Sequence, residues 1–454
     1  MDDLLAQAMT RRRLMQMAAG GAAATGLAPL LDTAAAAARS SARSIEMWWW
    51  GQQEAVGIQS WVNDTVKKFK AKTGFSVDAT LMDTSQVIPQ FTKAAAVGNV
   101  PDVQFLFNGI YHMENVWLGY LKPLNGLVSA ATIKSGGGTS LSQYGGKAYR
   151  TGFYALAFGV QYNKDHFDKA GLNADDPPKT WDQFMNCCDK LKSKGSIPIG
   201  GGVKDGFLGE WWLINSLTQN LDTPADALSL FIGNLDWQTP QYHEHWVKLQ
   251  ELRDNRYWND DVTSLGLYQG IRLYNTGKAS MALNNSPALL DSQKQLGKDN
   301  VGFMQLPTFG TGAMAPFPVV DTQGFGIPSK AKDPQTAAKF IDFMHSPERL
   351  EAYWSTSRQL PADSRFDPAV IDNPLVRSTY SRFVRGKHNV YIADLMPTLF
   401  WTDAMVVISQ KILGGTLKGS DSGALADEIT RKWKKQNPDE VRRCMTWGKD
   451  LKAA

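Results

Sequence analysis

Ser44-Ile45-Glu46-Met47-Trp48 and, further along, Pro101-Asp102-Val103-Gln104-Phe105-Leu106 bracket the stretch whose reading decides the fold. The first segment reads as a strand. Ile58, Trp61, Val62, Thr65 and Phe69 then recur at helical spacing, and Gly74 supplies a C-terminal stop. Val77, Ala79 and Leu81 alternate as a second strand. Val87, Ile88, Phe91 and Ala95 mark a second helix, and Val103 to Leu106 form a third strand behind Pro101. This β-α-β-α-β order argues for a parallel α/β sheet.

The pattern then repeats. Residues 153–160 are strand-like, and Thr180 with Gln183 three residues later predicts a capping box. The helix behind it places Phe184, Cys187, Cys188 and Leu191 on one apolar side, with Gly195 as its end. Ile197-Pro198-Ile199 is a short strand closed by three glycines. Asp333-Pro334 opens another helix with Ala337, Phe340, Ile341 and Met344 as its buried stripe, and Ser346-Pro347 starts one more. From Asp403 onward the chain reads as mostly helical. Two α/β units and a helical tail follow, with no low-complexity linker between them, so the units are expected to pack face to face.

Ahead of these units lies a different kind of segment. Thr10-Arg11-Arg12-Arg13-Leu14-Met15 heads an uncharged, weakly apolar run over residues 14–31, followed by alanines at 34–38. Twin arginines, a short apolar region and small-residue cleavage sites read as a twin-arginine export signal over residues 1–39. Gly20, Gly21 and Pro29 break the run, which argues against a membrane span. No cysteine follows it for lipid attachment. An exported protein meets no ATP or nicotinamide pool, which argues against kinases and most dehydrogenases.

Composition narrows the classes further. Hydrophobic residues make up 43% and charged residues 20% of the 454, as in a soluble globular protein. Net charge is +4, and residues 1–39 carry four arginines against three aspartates, so the remainder stays near neutral. The basic residues near Lys432 to Lys435 read as a solvated helix face, and no basic stripe suggests nucleic acid. Three cysteines, Cys187, Cys188 and Cys444, make neither a disulfide framework nor a zinc site; whether Cys444 pairs with either neighbour is open. No Walker, H-E-x-x-H or G-x-S-x-G motif occurs. His243-Glu244-His245 is expected to be a surface cluster whose imidazoles point apart. No catalytic residue, metal site or cofactor is expected. The chain has 15 Trp, 20 Phe and 13 Tyr, many of them clustered. An indole offers a flat apolar face and one N–H donor, which suits stacking on a sugar ring as well as core packing.

Several further segments carry a resemblance. Gly98-Asn99-Val100-Pro101-Asp102-Val103, Leu118-Gly119-Tyr120-Leu121-Lys122-Pro123-Leu124, Tyr144-Gly145-Gly146-Lys147-Ala148-Tyr149 and Gln161-Tyr162-Asn163-Lys164-Asp165-His166-Phe167-Asp168-Lys169-Ala170-Gly171-Leu172 occur in that order. Pro177-Pro178-Lys179-Thr180-Trp181, Gly277-Lys278-Ala279-Ser280-Met281, Arg358-Gln359-Leu360-Pro361-Ala362 and Lys411-Ile412-Leu413-Gly414-Gly415 follow. Together they resemble family 1 extracellular solute-binding proteins of ATP-binding-cassette (ABC) sugar importers.

The resemblance implies a two-lobed, type II periplasmic-binding-protein (Venus-flytrap) α/β fold with an interdomain cleft and extra C-terminal helices. It places the N-terminal lobe at 44–153 plus 322–360 and the C-terminal lobe at 154–321 plus 361–454. The chain would cross between them near 153–155, 320–322 and 360–362. It also implies a carbohydrate ligand, transient docking on ABC permease subunits, a monomer and a periplasmic location. By the same resemblance, Trp50, Gln52, Gln53, Glu54, Phe107, Asn108, Tyr154, Trp211, Asn284, Asn285, Asp321, Gln323, Arg358 and Trp401 line the ligand cleft. Pro287 stands where the maltose-binding relative stacks a Trp, which leaves the choice of sugar open. A secreted glycoside hydrolase or lyase, and a receptor for a polyol or other non-sugar solute, remain as alternatives.

Overall fold

The structure, a computed structural model, describes residues 44–50, 57–83 and 86–452. The expected export signal at 1–39 lies outside them. The strands are β1 (Ser44–Trp50), β2 (Ser76–Met82), β3 (Val103–Leu106), β4 (Leu121–Lys122), β5 (Gln143–Tyr144), β6 (Lys147–Ala148), β7 (Thr151–Asn163), β8 (Ile197–Ile199), β9 (Ala279–Asn285), β10 (Val301–Met304), β11 (Val319–Pro328), β12 (Leu360–Pro361) and β13 (Asn389–Val390). All but β5 and β6 join one mixed sheet, whose main order is β2-β1-β3-β11-β7-β9-β8.

The sheet is parallel at two flanks and antiparallel in the middle. β1 pairs β3 and β8 pairs β9 in parallel, as βαβ units require. Between them, β11 runs antiparallel to both β3 and β7, and β7 antiparallel to β9. The parallel sheet expected from the first hundred residues therefore holds at its flank and gives way to two long strands shared by both halves. β12 joins them, pairing Leu360 with Ala155 and Pro361 with Tyr154.

Local chemistry explains the flanking helices. The Ile58–Thr73 helix buries Ile58, Trp61, Val62, Thr65 and Phe69, and Gly74 ends it at φ 78°. Thr180 and Gln183 form the capping box of the Trp181–Ser193 helix. Asp102 shows why an acid follows Pro101. Its carboxylate accepts from Glu46 N at 3.0 Å and from Asp333 N at 2.9 Å, tying β1 to the loop that opens the Pro334–Met344 helix.

Buried residues form two clusters. One gathers Met47, Trp49, Trp61, Phe105, Phe153, Phe325, Phe340 and Tyr353. The other gathers Phe158, Trp212, Trp237, Trp246, Met281, Phe400 and Trp447. Their boundaries are not those of simple lobes, since Phe91 and Leu106 join the second cluster and Phe383 the first. All three cysteines are free and buried, which leaves no disulfide. Burial pushes the Cys187 and Cys444 thiols up to about 12, so they act as inert core residues.

Where β7 meets β11, backbones touch with no room for a side chain. A Cβ on Gly324 would sit 1.8 Å from Thr151 O, and one on Gly152 would sit 1.7 Å from Gly137 O. The register also shifts between Gln323 and Gly324. A buried polar knot lies beside this point. Asp363 bonds His345 Nδ1 at 2.8 Å, Ser135 Oγ at 2.9 Å and Arg365 Nη2 at 2.7 Å, while His345 Nε2 lies 3.1 Å from Thr151 Oγ1. Burial pushes the Asp363 carboxyl up, but the His345 and Arg365 bonds outweigh it and hold the group well below the usual range. Overpacking at such a contact typically costs about 1–3 kcal/mol. Gly324→Ala should therefore lower unfolding stability by about 2 kcal/mol or more in urea titration, and an unchanged midpoint would show that the two strands can part locally.

Candidate functional site

The polar centre begins at the end of β3. Phe107 packs edge-on against Phe105 at 5.3 Å, and Asn108 follows, buried, just before the Gly109–Trp117 helix. Asn108 Nδ2 donates to Asp321 Oδ1 at 2.8 Å, and Gln323 Nε2 donates to Asp321 Oδ2 at 2.8 Å. Tyr154 OH donates to Gln323 Oε1, while the Tyr154 ring meets Trp50 edge-on at 5.6 Å. Asp321 and Gln323 lie on β11 and Tyr154 on β7, so the strand pairing itself sets these contacts.

A second group comes from later in the chain. Glu210, on the Phe207–Ser216 helix, accepts Tyr391 OH at Oε1 and Trp401 Nε1 at Oε2, the latter at 2.5 Å. One carboxylate thus fixes two rings from separate segments. Trp401 sits in a π-helical turn, Phe400–Met405, a local irregularity common at functional sites. Phe207 is 40% exposed and lies 6.0 Å from the Trp401 ring, so the pair offers a partly open aromatic surface. Trp211 is buried against Phe158 at 5.3 Å, and Phe158 contacts Tyr391 at 4.9 Å.

The two groups meet through Arg150 and Asp394. Arg150 is fully buried just before β7, and it donates to Asn108 Oδ1, to Thr322 O at 2.8 Å and to Ser142 Oγ at 2.8 Å. Burial lowers its pKa to about 10, against the pull of Asp321 and Asp394. Asp394 is driven well above the carboxylate range by burial and by repulsion from Asp321 and Glu210. Burial also raises Glu210 and Asp321. The backbone is close here as well, since a Cβ on Gly109 would fall 1.9 Å from Asp394 O.

Among the expected cleft residues, the structure brings Trp50, Asn108, Tyr154, Asp321 and Gln323 into one network. It sets Trp211 and Trp401 beside Glu210. Asn284 and Asn285 lie at the end of β9, paired with Gly159 and Phe158 of β7; Asn285 caps the turn that follows. Gln52, Gln53 and Glu54 lie outside the described residues. Arg358 is not part of the network. It reaches outward to Asp372 at 2.7 Å and stacks over Trp354 at 5.3 Å.

His243-Glu244-His245 is not a surface cluster. His245 is fully buried, bonded to Tyr242 O at 3.0 Å and packed on Trp246, and burial lowers its pKa to about 3. Sequence reasoning missed Arg150, Glu210, Tyr391 and Asp394. Each is a single residue with no spacing partner, although Glu210 does adjoin the Trp211-Trp212 pair. A cavity of about 600 Å³ is lined by Lys134, Gly136, Gly138, Ala362 and His388, among other residues, and includes none of the expected cleft residues. No cluster of His, Cys, Asp and Glu among the described residues could hold a metal, and no described helix is long and apolar enough to cross a membrane.

A mixed α/β sheet with parallel flanks and long antiparallel central strands is the fold of a periplasmic solute-binding protein. The chain belongs to the bacterial extracellular solute-binding protein family, whose model matches residues 64–376. It is thus a solute-binding protein and not an enzyme. Its curated relatives include the sn-glycerol-3-phosphate-binding periplasmic protein UgpB of Rhizobium meliloti (strain 1021), 30% identical over 159 residues, which are 33% of this chain and 34% of that protein. UgpB of Shigella dysenteriae serotype 1 (strain Sd197) is 27% identical over 209 residues, 44% of this chain and 46% of that one. The match therefore spans less than half the length of these relatives. A chitin oligosaccharide binding protein superposes with a TM-score of 0.71 at 23% identity, covering 86% of this chain and 98% of that one. A family 1 extracellular solute-binding protein from Bifidobacterium longum subsp. infantis gives 0.68 at 21% identity, covering 86% and 99%. At those identities the likeness shows the fold.

The raised carboxyls give a linkage test. A carboxyl whose pKa is higher folded than unfolded favours the folded state at low pH. That contribution is lost as pH climbs from the ordinary carboxylate value through the raised one. Ligand-free Asp394→Asn should therefore melt above the parent protein at pH 7, and the gap should close toward pH 4. A lower melting temperature for the variant at pH 7 would refute the burial of this charge.

Proposed function

We propose that the chain captures a carbohydrate between two lobes, 44–153 with 322–360 and 154–321 with 361–454, and presents it to an ABC permease. The observation that carries this is the Glu210 carboxylate holding Trp401 and Tyr391 in place beside the Asn108–Asp321–Gln323 network. A sugar has hydroxyls that each need a partner on leaving water and apolar ring faces that need none. Amides and carboxylates serve the first and a flat indole the second. Closing both lobes over the ligand dries the site, and the ligand shifts the open–closed balance by its preference for the closed form. Several proteins of the same fold support the carbohydrate class: one is named for chitin oligosaccharide, and another was solved with alpha-D-tagatose.

The curated relatives are named for sn-glycerol-3-phosphate, and the charge of this site argues against that ligand here. Asp321, Glu210 and Asp394 converge, while Arg150, the cation among them, is spent on neutral acceptors. A phosphate dianion would meet these acids with no guanidinium donor of Arg150 left to hold it.

A thermal-shift screen of mono-, di- and oligosaccharides, polyols and glycerol-3-phosphate tests the proposal, since a bound ligand raises apparent stability. Saccharides should shift the melting temperature and glycerol-3-phosphate should not; the reverse result removes the carbohydrate reading. Trp401→Ala should weaken the best saccharide by more than about tenfold, roughly 1.4 kcal/mol, with little change in ligand-free stability. Unchanged affinity by calorimetry would take Trp401 out of the site.

A further inference from the structure

The first residues of β8 and β9 lie side by side, with Ile197 paired to Ala279. Beside them opens a cavity of about 490 Å³, whose walls include His166, Lys169, Lys194, Ser196 and Lys278 and no acid among the described residues. Asn284 and Asn285 stand at the other end of β9. At about 3.3 Å per residue the cavity lies roughly 20 Å from them, away from the candidate cleft.

Three helices end at this cavity, Lys164–Lys169, Trp181–Ser193 and Leu267–Asn275, and all three close in the same way. Gly171, Gly195 and Gly277 take positive φ of 67°, 80° and 72°. The N–H of the following residue then reaches back, Leu172 to Phe167 O, Ser196 to Leu191 O and Lys278 to Leu273 O. A helix C-terminus carries about −0.5 of a charge, and a lysine beside it is ordinarily its complement. Three such ends amount to about −1.5, against three ammonium groups. Lys169, Lys194 and Lys278 make no ion pair among the described residues, whereas Lys164 and Lys179 pair with Asp175 and Asp176 at 2.7 Å each. Asp165, on the first of these helices, is bonded by Asn300 Nδ2 at 3.0 Å. The cavity therefore keeps a positive balance that the helix ends do not cancel. His166 adds a fixed ring. Its Nδ1 lies 2.9 Å from Ser280 Oγ and 3.3 Å from Ser196 Oγ, and the two hydroxyls are 2.6 Å apart. With Nδ1 accepting from a hydroxyl, the neutral ring carries its proton on Nε2, free to donate.

We propose that this cavity binds an anion built of linked phosphates. Its volume is that of about sixteen waters at about 30 Å³ each, and the ammonium groups come from three separate segments around it. One phosphate fills a small part of that space and leaves lysines unpaired, while a short chain of phosphates reaches all three. Lysine suits phosphate as a point charge, and the walls lack the arginine fork that suits a carboxylate. The site is separate from the carbohydrate reading and stands or falls without it.

Calorimetry on the intact protein compares inorganic tripolyphosphate with orthophosphate, glycerol-3-phosphate and citrate. Tripolyphosphate should bind at least about tenfold more tightly than each of the others, and added salt should weaken it, because the three lysines are exposed. Orthophosphate or glycerol-3-phosphate binding as tightly would overturn the requirement for linked phosphates, and citrate binding as tightly would overturn the phosphate class. A protein carrying Lys169→Gln, Lys194→Gln and Lys278→Gln together should lose about tenfold or more in tripolyphosphate affinity, with its melting temperature and its saccharide affinity unchanged. Full tripolyphosphate affinity in that variant would remove the site, and so would a matching loss of saccharide affinity. The single replacements, each expected to cost about threefold, carry the same test if the triple variant does not fold.

Discussion

The antiparallel contact between β7 and β11 is the constraint on which the rest depends. Gly324 lets the two backbones touch there, Gly152 admits the Gly137 loop beside them, and the register shifts by one step after Gln323. Tyr154, Asp321, Thr322 and Gln323 take their positions directly from that pairing. Arg150, one residue before β7, then reaches across to Thr322 O and to Gly138 O. A site built on strands in this way is held more rigidly than one built on loops, since each side chain inherits the precision of a hydrogen-bonded ladder.

The second half of the site is assembled differently. Glu210 stands on a helix, Tyr391 and Asp394 on a short irregular stretch, and Trp401 in a π-helical turn. No sheet register fixes these groups. The Glu210 carboxylate does so instead, by accepting from both rings at once. That arrangement has a cost, because desolvation, with added repulsion from Asp321, raises the Glu210 carboxyl. Natural sites hold such unpaired groups where function asks for them, and the surrounding fold carries the strain.

How much of this was legible in the sequence follows from where each residue packs. The Ile58–Thr73, Trp181–Ser193 and Pro334–Met344 helices each bury one stripe, so their periodicity could be read directly. The Phe207–Ser216 helix is buried nearly all round, and it carries no stripe to read. β11 is buried on both faces and contains Thr322, Gln323 and two glycines, so it shows no alternation. The site divides along the same line. Asn108, Tyr154 and Trp401 came from resemblance, because they sit at strand ends or in segments whose order is shared. Arg150, Glu210 and Asp394 act through contacts between distant segments, and no spacing in the chain announces them. His245 shows the converse error. A polar triplet looks like surface, yet a bond to Tyr242 O and the face of Trp246 make its burial tolerable.

The two halves also differ in what a substitution can disturb. A change on β7 or β11 acts on the ladder, and through it on every strand that the ladder joins. A change at Glu210 or Trp401 acts first on the hydrogen bonds that Glu210 accepts from Tyr391 and Trp401, outside the sheet. A substitution in the second half therefore leaves the central pairing of β7 with β11 in place. In this chain two of the three carboxylates, Glu210 and Asp394, stand in the second half with the Trp401–Phe207 aromatic pair, while Asp321 and the Arg150 guanidinium are tied to the ladder.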